Sequence, residues 1–226
     1  MSDPPPLAVD VDGTLTRPDS PGLDPRVFDP LAEWPAPVVV ATGKSFPYPI
    51  ALCDFVGIDH RVVAENGGVV CVEDDVWIHD DSAAVAAVAE AFREAGGDLG
   101  WGAVDLVNRW RETELAVARE ADEELLRSVA ADQGLRVLDT GYAYHVTPTD
   151  VSKGTGLERV AERLGRAPGE FVAIGDSEND VSAFEVAGRS YAVANADERA
   201  RAAADVVVEG AHADGLLAAL SAVRGT

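Results

Sequence analysis

The chain alternates between short runs of apolar residues and polar, glycine-containing segments that follow them directly. Residues 7–11, 38–41, 62–64 and 171–174 are such runs, and they are rich in valine and alanine. A short apolar run without polar alternation is typical of a strand that is buried on both faces of a parallel sheet. We therefore predict a parallel β-sheet with polar residues at the carboxyl ends of its strands.

Between residues 82 and 147 the pattern changes. Helices are predicted over the alanine-rich stretch 82–95 and over 122–133, because glycine follows each of them closely. Four strands are predicted in the same region, over 103–107, 113–118, 135–139 and 142–147. This order of helices and strands favours an open-faced α+β module.

After residue 148 helices and strands alternate again. The predicted fold class is α/β, a doubly wound, mainly parallel, Rossmann-like sheet with an inserted α+β domain. The predicted division assigns residues 1–80 and 151–226 to the sheet domain and residues 81–150 to the inserted domain. The elements predicted in the last part are helices over 154–164, 181–187, 197–204 and 214–223, and strands over 191–194 and 206–208.

Composition narrows the classes of partner. Among 226 residues, 40 acidic and 18 basic side chains give a formal net charge of −22. Proteins that bind nucleic acid or an anionic membrane surface need a basic field, so we expect no nucleic-acid partner and no membrane partner. No stretch approaches the roughly 20 apolar residues that cross a bilayer. The expected location is the cytoplasm, and the sequence does not indicate an oligomeric state.

Several polar residues follow predicted strands or begin a predicted helix. Taken singly, each has a plain structural explanation, because Asp-Gly forms turns and Thr-Gly or Asn-Asp can begin helices. Ligands of open α/β sheets bind at the carboxyl ends of strands, so the joint occurrence of these residues predicts a site there. They are Asp10, Asp12, Thr42, Gly43, Lys153, Asp176, Asn179 and Asp180.

These residue types suit phosphoryl transfer. Asp10 and Asp12 are two positions apart, so an extended backbone points both side chains to the same side. One carboxylate can attack phosphorus, and the other can act as general acid and then general base. Carboxylates that face a phosphate dianion require a cation, and Asp176 and Asp180 add oxygen ligands suited to Mg²⁺. Positive charge and hydrogen-bond donors for the phosphoryl oxygens can come from Lys153, from Thr42 and from backbone N–H groups near Gly43.

The same residues resemble the motifs of a known family. Residues 10–16, Asp-Val-Asp-Gly-Thr-Leu-Thr, are similar to the first motif of the haloacid dehalogenase superfamily of phosphatases. Residues 41–43 resemble the second motif, Lys153 the third and residues 175–180 the fourth, so the resemblance covers the whole chain.

Two further features resemble one branch of this superfamily. Glu65-Asn66-Gly67 after a strand, together with an α+β domain between the second and third motifs, is similar to the type IIB cap branch. The chain length, the cap size and residues 150–154 are most similar to the archaeal phosphoglycolate phosphatases of that branch. The resemblance implies hydrolysis of 2-phosphoglycolate to glycolate and phosphate. Sugar phosphates and other small phosphometabolites are the alternative substrates.

The resemblance also implies a role for each motif residue. Asp10 would be the nucleophile and a metal ligand, and Asp12 the general acid/base, with its backbone carbonyl on the metal. Asp176 and Asp180 would lie on the metal side, Asp180 binding directly or through water. The phosphate-binding residues would be Thr42, Gly43, Lys153 and Asn179, the last of these beside the metal ligands or on the phosphate itself.

Two other classes of protein use similar residues. A phospho-accepting signalling domain also combines a metal, an aspartate, a threonine and a lysine. Such a domain is normally about half as long, and it has no second carboxylate two residues after the phospho-acceptor. A non-catalytic phospholigand-binding protein would be expected to lose Asp10 or Asp12, and this sequence keeps both.

Some residues outside the motifs are weaker candidates for contact with a substrate. His145 could reach a substrate carboxylate, but a packed or surface histidine is the expectation. Arg109 and Arg111 could bind an anionic leaving group, although alternate arginines on an exposed strand usually face solvent. Lys44 stands where many relatives have asparagine or arginine, and it could touch substrate or face solvent.

The net charge of −22 poses a problem for a protein that binds a phosphate ester, because like charges repel. In molar salt the Debye length falls to about 3 Å, which removes most of the long-range repulsion. We therefore predict a high-salt cytoplasm, as in a halophilic archaeon, where an acidic surface keeps the protein hydrated. In dilute buffer the same charges should destabilise the fold through self-repulsion.

Overall fold

The computed structural model describes residues 4–80 and 82–225 of the chain. Its strands are, in chain order, β1 (Leu7–Val9), β2 (Thr16–Arg17), β3 (Ser20–Leu23), β4 (Val38–Ala41), β5 (Arg61–Ala64), β6 (Val69–Val72), β7 (Asp75–Ile78), β8 (Leu115–Ala118), β9 (Leu135–Asp139), β10 (Ala143–Pro148), β11 (Val172–Gly175), β12 (Arg189–Ala192) and β13 (Val206–Val207). Its helices are α1 (Phe28–Ala32), α2 (Pro47–Val56), α3 (Ser82–Glu94), α4 (Glu123–Asp132), α5 (Lys153–Arg163), α6 (Val181–Val186), α7 (Glu198–Ala203) and α8 (His212–Arg224).

Eight strands form the main sheet, in the order β13-β12-β11-β1-β4-β5-β6-β7. Strands β13 to β5 pair in parallel, and β6 and β7 extend the sheet as an antiparallel hairpin. The central strands β1, β4 and β11 are buried along their whole length, which explains their uninterrupted apolar sequences. The predicted α/β fold with a mainly parallel sheet is confirmed.

Residues 82–148, called the cap here, contain a second sheet. Strands β8, β10 and β9 pair antiparallel in that order, and helices α3 and α4 belong to the same part of the chain. The cap has its own cluster of buried apolar residues, which includes Val88, Phe92, Leu126 and Val146. The remaining strands and helices are called the core, and the division into domains at residues 80 and 150 stays a prediction.

The predicted strand over 103–107 is wrong. This segment forms turns, because the Asp105 carboxylate accepts hydrogen bonds from the backbone N–H groups of Val107 and Asn108. The Asn108 side chain then bonds both the N–H and the C=O of Ala116 in β8, at 2.8 and 2.9 Å. A side-chain amide, and not a strand formed by residues 103–107, therefore pairs with the backbone of β8 at Ala116.

Other differences are smaller. The predicted strand over 113–118 begins only at Leu115, and the strand predicted over 191–194 lies at Arg189–Ala192. The β2–β3 hairpin and helices α1 and α2 were not predicted. None of the helices in the described part of the chain has both the length and the apolar character that crossing a membrane requires.

Candidate active site

Three aspartates meet at the carboxyl edge of the main sheet. Asp10 follows β1, and Asp176 follows the adjacent parallel strand β11, so the sheet itself brings the two together. Asp180 lies one short turn further along the chain. One carboxylate oxygen from each of the three residues lies within 4.8 Å of the others. The spacing requires a residue without a side chain at Gly13, where φ is +83° and a Cβ atom would lie 2.0 Å from Asp176 Oδ2.

Lys153 lies behind these carboxylates at the first position of α5. The Ser152 hydroxyl caps this helix by accepting a hydrogen bond from the Thr155 N–H, and Thr155 caps in return. The Lys153 ammonium is buried and donates hydrogen bonds of 2.6 Å to Asp10 Oδ1 and to Asp180 Oδ1. Burial alone would lower the pKa of Lys153, but the two carboxylates outweigh it and raise this pKa. The lysine is therefore charged.

Both carboxylate oxygens of Asp180 accept hydrogen bonds from other residues of the protein. Oδ1 accepts from Lys153, while Oδ2 accepts hydrogen bonds of 2.9 and 3.0 Å from the backbone N–H groups of Asp176 and Ser177. Asp180 therefore fixes both the lysine and the loop that carries Asp176.

The remaining carboxylate oxygens suit a hard divalent cation. Asp10 Oδ2 is buried, and no N–H or O–H group of the described chain donates a hydrogen bond to it. Burial and the neighbouring carboxylates raise the pKa of both Asp10 and Asp176, since three acidic groups crowd around one lysine. An all-oxygen donor set with excess negative charge fits Mg²⁺.

A small cavity opens on the other side of these aspartates, between core and cap. The sequence-predicted residues Asp10, Asp12, Gly43, Asp176 and Asn179 line it. Thr42, Lys153 and Asp180 are buried behind that lining. The Thr42 hydroxyl accepts a hydrogen bond of 3.1 Å from the Lys44 N–H, so it shapes the loop that presents Gly43.

Asp12 and Lys44 form an ion pair at the mouth of this cavity. Lys44 Nζ lies 3.0 Å from Asp12 Oδ2, and the Asp12 side chain is 48% exposed. The same ammonium lies 5.8 Å from the ring centroids of Tyr48 in the core and Tyr142 in the cap. The sequence left open whether Lys44 touches substrate or faces solvent. In the structure, Lys44 is part of the cavity lining.

Arg111 and His145 approach the cavity from the cap. The expectation that Arg111 faces solvent is wrong, because its segment is not a strand and its side chain is only 5% exposed, paired with the buried Glu114 carboxylate. Arg109 is exposed, as expected. His145 is packed, and its Nδ1 lies 3.1 Å from Glu114 Oε1. Burial, together with the nearby Arg111 and Lys153, lowers the pKa of His145 to about 3, so its imidazole is neutral at physiological pH.

Two core residues hold this part of the cap in place. The buried Glu65 carboxylate accepts hydrogen bonds from the Glu112 N–H and from both the N–H and the hydroxyl of Thr113. Asn66 donates to Glu114 Oε2 at 2.8 Å and accepts from the Asn179 side chain at 2.9 Å. Glu65 and Asn66 have φ values of +49° and +54°, in the left-handed region that non-glycine residues rarely adopt.

Comparison with known proteins identifies the family. A model of haloacid dehalogenase-like hydrolases matches residues 116–220. A protein from Halorubrum lacusprofundi, named phosphoglycolate phosphatase, is 62% identical over 222 residues, which cover 97% of each chain. The chain belongs to the haloacid dehalogenase-like hydrolases.

Two other proteins that are similar to this haloacid dehalogenase-like hydrolase are consistent with the family assignment. A Halobacterium salinarum protein of the same printed name is 58% identical over 220 residues, or 97% of each chain. A crystal structure of a Thermoplasma acidophilum protein superimposes with a TM-score of 0.86 at 24% identity, covering 100% of both chains. This last match shows that the two proteins share a fold.

The pattern of the sequence did not reveal every residue around the cavity of this hydrolase. Glu114 was not singled out, because a glutamate within an apolar run is indistinguishable from a solvent-facing strand residue. Glu65 and Asn66 were noted only for their resemblance to a branch of the family. The available signal for Glu114 was Arg111, which stands three residues before it and forms an ion pair with it.

Proposed function

We propose that the chain is a Mg²⁺-dependent phosphomonoester hydrolase that acts through an aspartyl-phosphate. The observation that carries this proposal is the environment of the Asp10 carboxylate. One of its oxygens is held by Lys153 at 2.6 Å, and the other is buried and accepts no hydrogen bond from the described residues. A carboxylate fixed in this way, beside a cavity and a second aspartate, is prepared to attack an electrophile.

The chemistry divides between Asp10 and Asp12. Asp10 attacks phosphorus, the bond from phosphorus to the leaving-group oxygen breaks, and Asp12 gives that oxygen a proton. Asp12 then takes a proton from water, whose oxygen attacks phosphorus and releases Asp10 with phosphate. The half-exposed position of Asp12 supports this role, since a proton carrier needs contact with water.

The other motif residues support the two aspartates. Asp10 and Asp176 would hold Mg²⁺, together with the backbone carbonyl of Asp12, and Asp180 would orient them. The metal would supply positive charge for the phosphoryl oxygens. Backbone N–H groups around Gly43, shaped by Thr42, and the Asn179 amide would bind those oxygens, while Lys153 adds charge from behind.

The substrate proposed is 2-phosphoglycolate. Support comes from the printed name of the relatives that are 62% and 58% identical over nearly the whole chain. The small cavity also favours a small phosphorylated metabolite, because the core and the cap already contact each other around it. Sugar phosphates and other small phosphometabolites are the alternatives to be tested beside it.

The experiment measures phosphate release from a panel of phosphomonoesters with Mg²⁺ in molar KCl, for the wild type and Asp10→Asn. We expect 2-phosphoglycolate to give the highest kcat/KM and the variant to lose at least about 10⁴-fold in kcat. Full activity in the variant would exclude Asp10 as the nucleophile. A panel led by sugar phosphates would exclude the proposed substrate but not the hydrolase.

We also propose that the enzyme is adapted to high salt in the cytoplasm. The net charge of −22 and the relative from Halobacterium salinarum support this. We expect the Tm and kcat/KM to fall together as KCl is lowered from about 3 M to about 0.1 M, since the Debye length grows from a few ångströms to about 10 Å. Equal stability and activity at both ends of this range would contradict the proposal.

A further inference from the structure

Arg111 is a buried cation whose hydrogen bonds are only partly satisfied by the protein. Its Nε donates to Val107 C=O at 3.1 Å, and its Nη1 donates to Gly43 C=O at 2.9 Å. Nη1 also forms an ion pair with Glu114 Oε1. Nη2 makes no hydrogen bond with the described part of the chain. Because the side chain lines the cavity, this nitrogen has two N–H donors available to a ligand there.

The position of Arg111 is fixed from two sides. Glu114 is fully buried, and it contacts Arg111 and His145 through Oε1 and the Asn66 amide through Oε2. Asn66 is bonded in turn to Asn179, which lies beside Asp176 in the cavity lining. The guanidinium is therefore held at a defined place relative to the aspartates, which is the requirement for reading one end of a ligand whose other end is at Asp10.

The charges around Arg111 favour the binding of an anionic ligand in the cavity. Both Glu114 oxygens already have partners within the protein, and neither Glu114 nor His145 makes a hydrogen bond with Nη2. His145 is neutral, so it adds no negative charge that would repel an anion. Lys44 Nζ also lines the cavity and adds a second cation. An arginine can bind a carboxylate through paired or single N–H···O contacts, and such charge-assisted hydrogen bonds are stronger than neutral ones.

We propose that Arg111 Nη2 binds the carboxylate of the substrate's leaving group and so selects phosphorylated hydroxy acids over uncharged phosphomonoesters. This inference rests on the proposed function. Glu114 and Asn66 are positioning residues in it, since they act on the ligand only through Arg111 and Asn179.

The test compares 2-phosphoglycolate with 2-hydroxyethyl phosphate, in which an alcohol replaces the carboxylate. For each enzyme the measured quantity is the ratio of kcat/KM for the first ester to that for the second. We expect Arg111→Gln to lower this ratio by about 10- to 100-fold, the usual range for one hydrogen bond to a charged group. Arg109→Gln is the matched control, because Arg109 is an exposed arginine two residues away, and its ratio should equal that of the wild type.

A second variant covers the possibility that Arg111→Gln alone does not fold, since it leaves the Glu114 carboxylate buried without its partner. Arg111→Gln combined with Glu114→Gln removes both charges and keeps two amides in the same place. We expect the same fall in the ratio for this pair of substitutions.

A third measurement needs no variant. With 2-hydroxyethyl phosphate as substrate, glycolate should inhibit the wild-type enzyme competitively, and ethylene glycol at the same concentration should inhibit it at least about tenfold less.

The possible outcomes distinguish the proposed substrate from the proposed role of Arg111. If the wild type prefers 2-phosphoglycolate and the Arg111 variants keep that preference, the proposed function stands and the role of Arg111 is overturned. Equal inhibition by glycolate and ethylene glycol also overturns it. If the wild type shows no preference for 2-phosphoglycolate, the proposed substrate fails and the inference fails with it.

Discussion

The two sides of the cavity balance their charges in opposite ways. On the sheet side, Asp10, Asp176 and Asp180 surround the single ammonium of Lys153, so negative charge is in excess. On the cap side, the Arg111 guanidinium meets the Glu114 carboxylate, and His145 is neutral. The first arrangement favours a further cation, whereas the second leaves Arg111 Nη2 without an acceptor among the described residues. The comparison supports the proposal that the sheet side performs the chemistry and the cap side positions the ligand.

The largest expected effect comes from Lys153→Met, which removes the cation that pairs with both Asp10 and Asp180. Two buried carboxylates then lose their partner, so we expect the free energy of unfolding of the metal-free protein to fall by about 3–5 kcal/mol. We expect kcat/KM to fall by about 10²- to 10³-fold with Mg²⁺ present, because positive charge behind Asp10, the proposed nucleophile, is lost. Denaturant unfolding and phosphate release measure the two effects.

The chain's other lysine is the control for stability. Lys44 forms its ion pair with the half-exposed Asp12, and its own side chain is 35% exposed. Lys44→Met should cost less than about 1 kcal/mol of unfolding free energy, because solvent screens such pairs. Equal losses for the two lysine variants would contradict the distinction between a buried, unbalanced cluster and the cavity mouth.

The effect expected from each pH unit is smaller, and it tests the charge excess directly. The pKa values of Asp10 and Asp176 are raised in the folded protein, so the folded state binds protons that the unfolded state has already lost. Stability of the metal-free protein should therefore fall as pH rises from about 5 to about 8, by at most about 1.4 kcal/mol per pH unit for each such proton. Thermal unfolding at constant molar KCl measures the slope.

Asp176→Asn is the matched variant for this titration. It removes one of the two titrating carboxylates and lowers the repulsion on the other, so we expect a flatter slope and higher stability at about pH 8. Addition of Mg²⁺ should stabilise the wild type at about pH 8 more than it stabilises this variant. A wild-type slope that equals the variant slope would show that surface charge, rather than this cluster, sets the pH dependence.

The sequence was sufficient to predict the sheet side but not the cap side. Asp10, Thr42 and Asp176 directly follow apolar strands, and parallel pairing brings the ends of adjacent strands together without further information. Arg111 reaches the cavity from a loop whose course depends on the Asp105 and Asn108 side chains. These side chains form hydrogen bonds with nearby backbone groups, and the hydrophobic pattern does not record them.

The sequence pattern predicted the apolar core strands, but it did not predict the burial of acidic residues. The core strands have uninterrupted apolar sequences because both faces are buried, and burial is what the hydrophobic pattern records. Glu65 and Glu114 are buried as well, and each accepts a hydrogen bond from across the core–cap boundary. Thr113 donates to Glu65 and Asn66 donates to Glu114, which offsets part of the cost of desolvation. A pattern read along one chain segment cannot show such partners.

Glu65→Gln has a smaller expected effect on stability than Lys153→Met, and it tests whether the core holds the cap through side-chain hydrogen bonds. The Glu65 carboxylate accepts from the Glu112 N–H at 3.0 Å, the Thr113 N–H at 2.7 Å and the Thr113 hydroxyl at 2.9 Å. An amide in its place keeps one oxygen and points an N–H₂ group toward donors, so we expect a loss of about 1–3 kcal/mol in unfolding free energy. Glu112→Gln is the control, because the Glu112 side chain is exposed and only its backbone takes part. If the two variants have the same stability in denaturant unfolding, the carboxylate does not hold the cap, and the contrast between a reactive sheet side and a positioning cap side loses its structural basis.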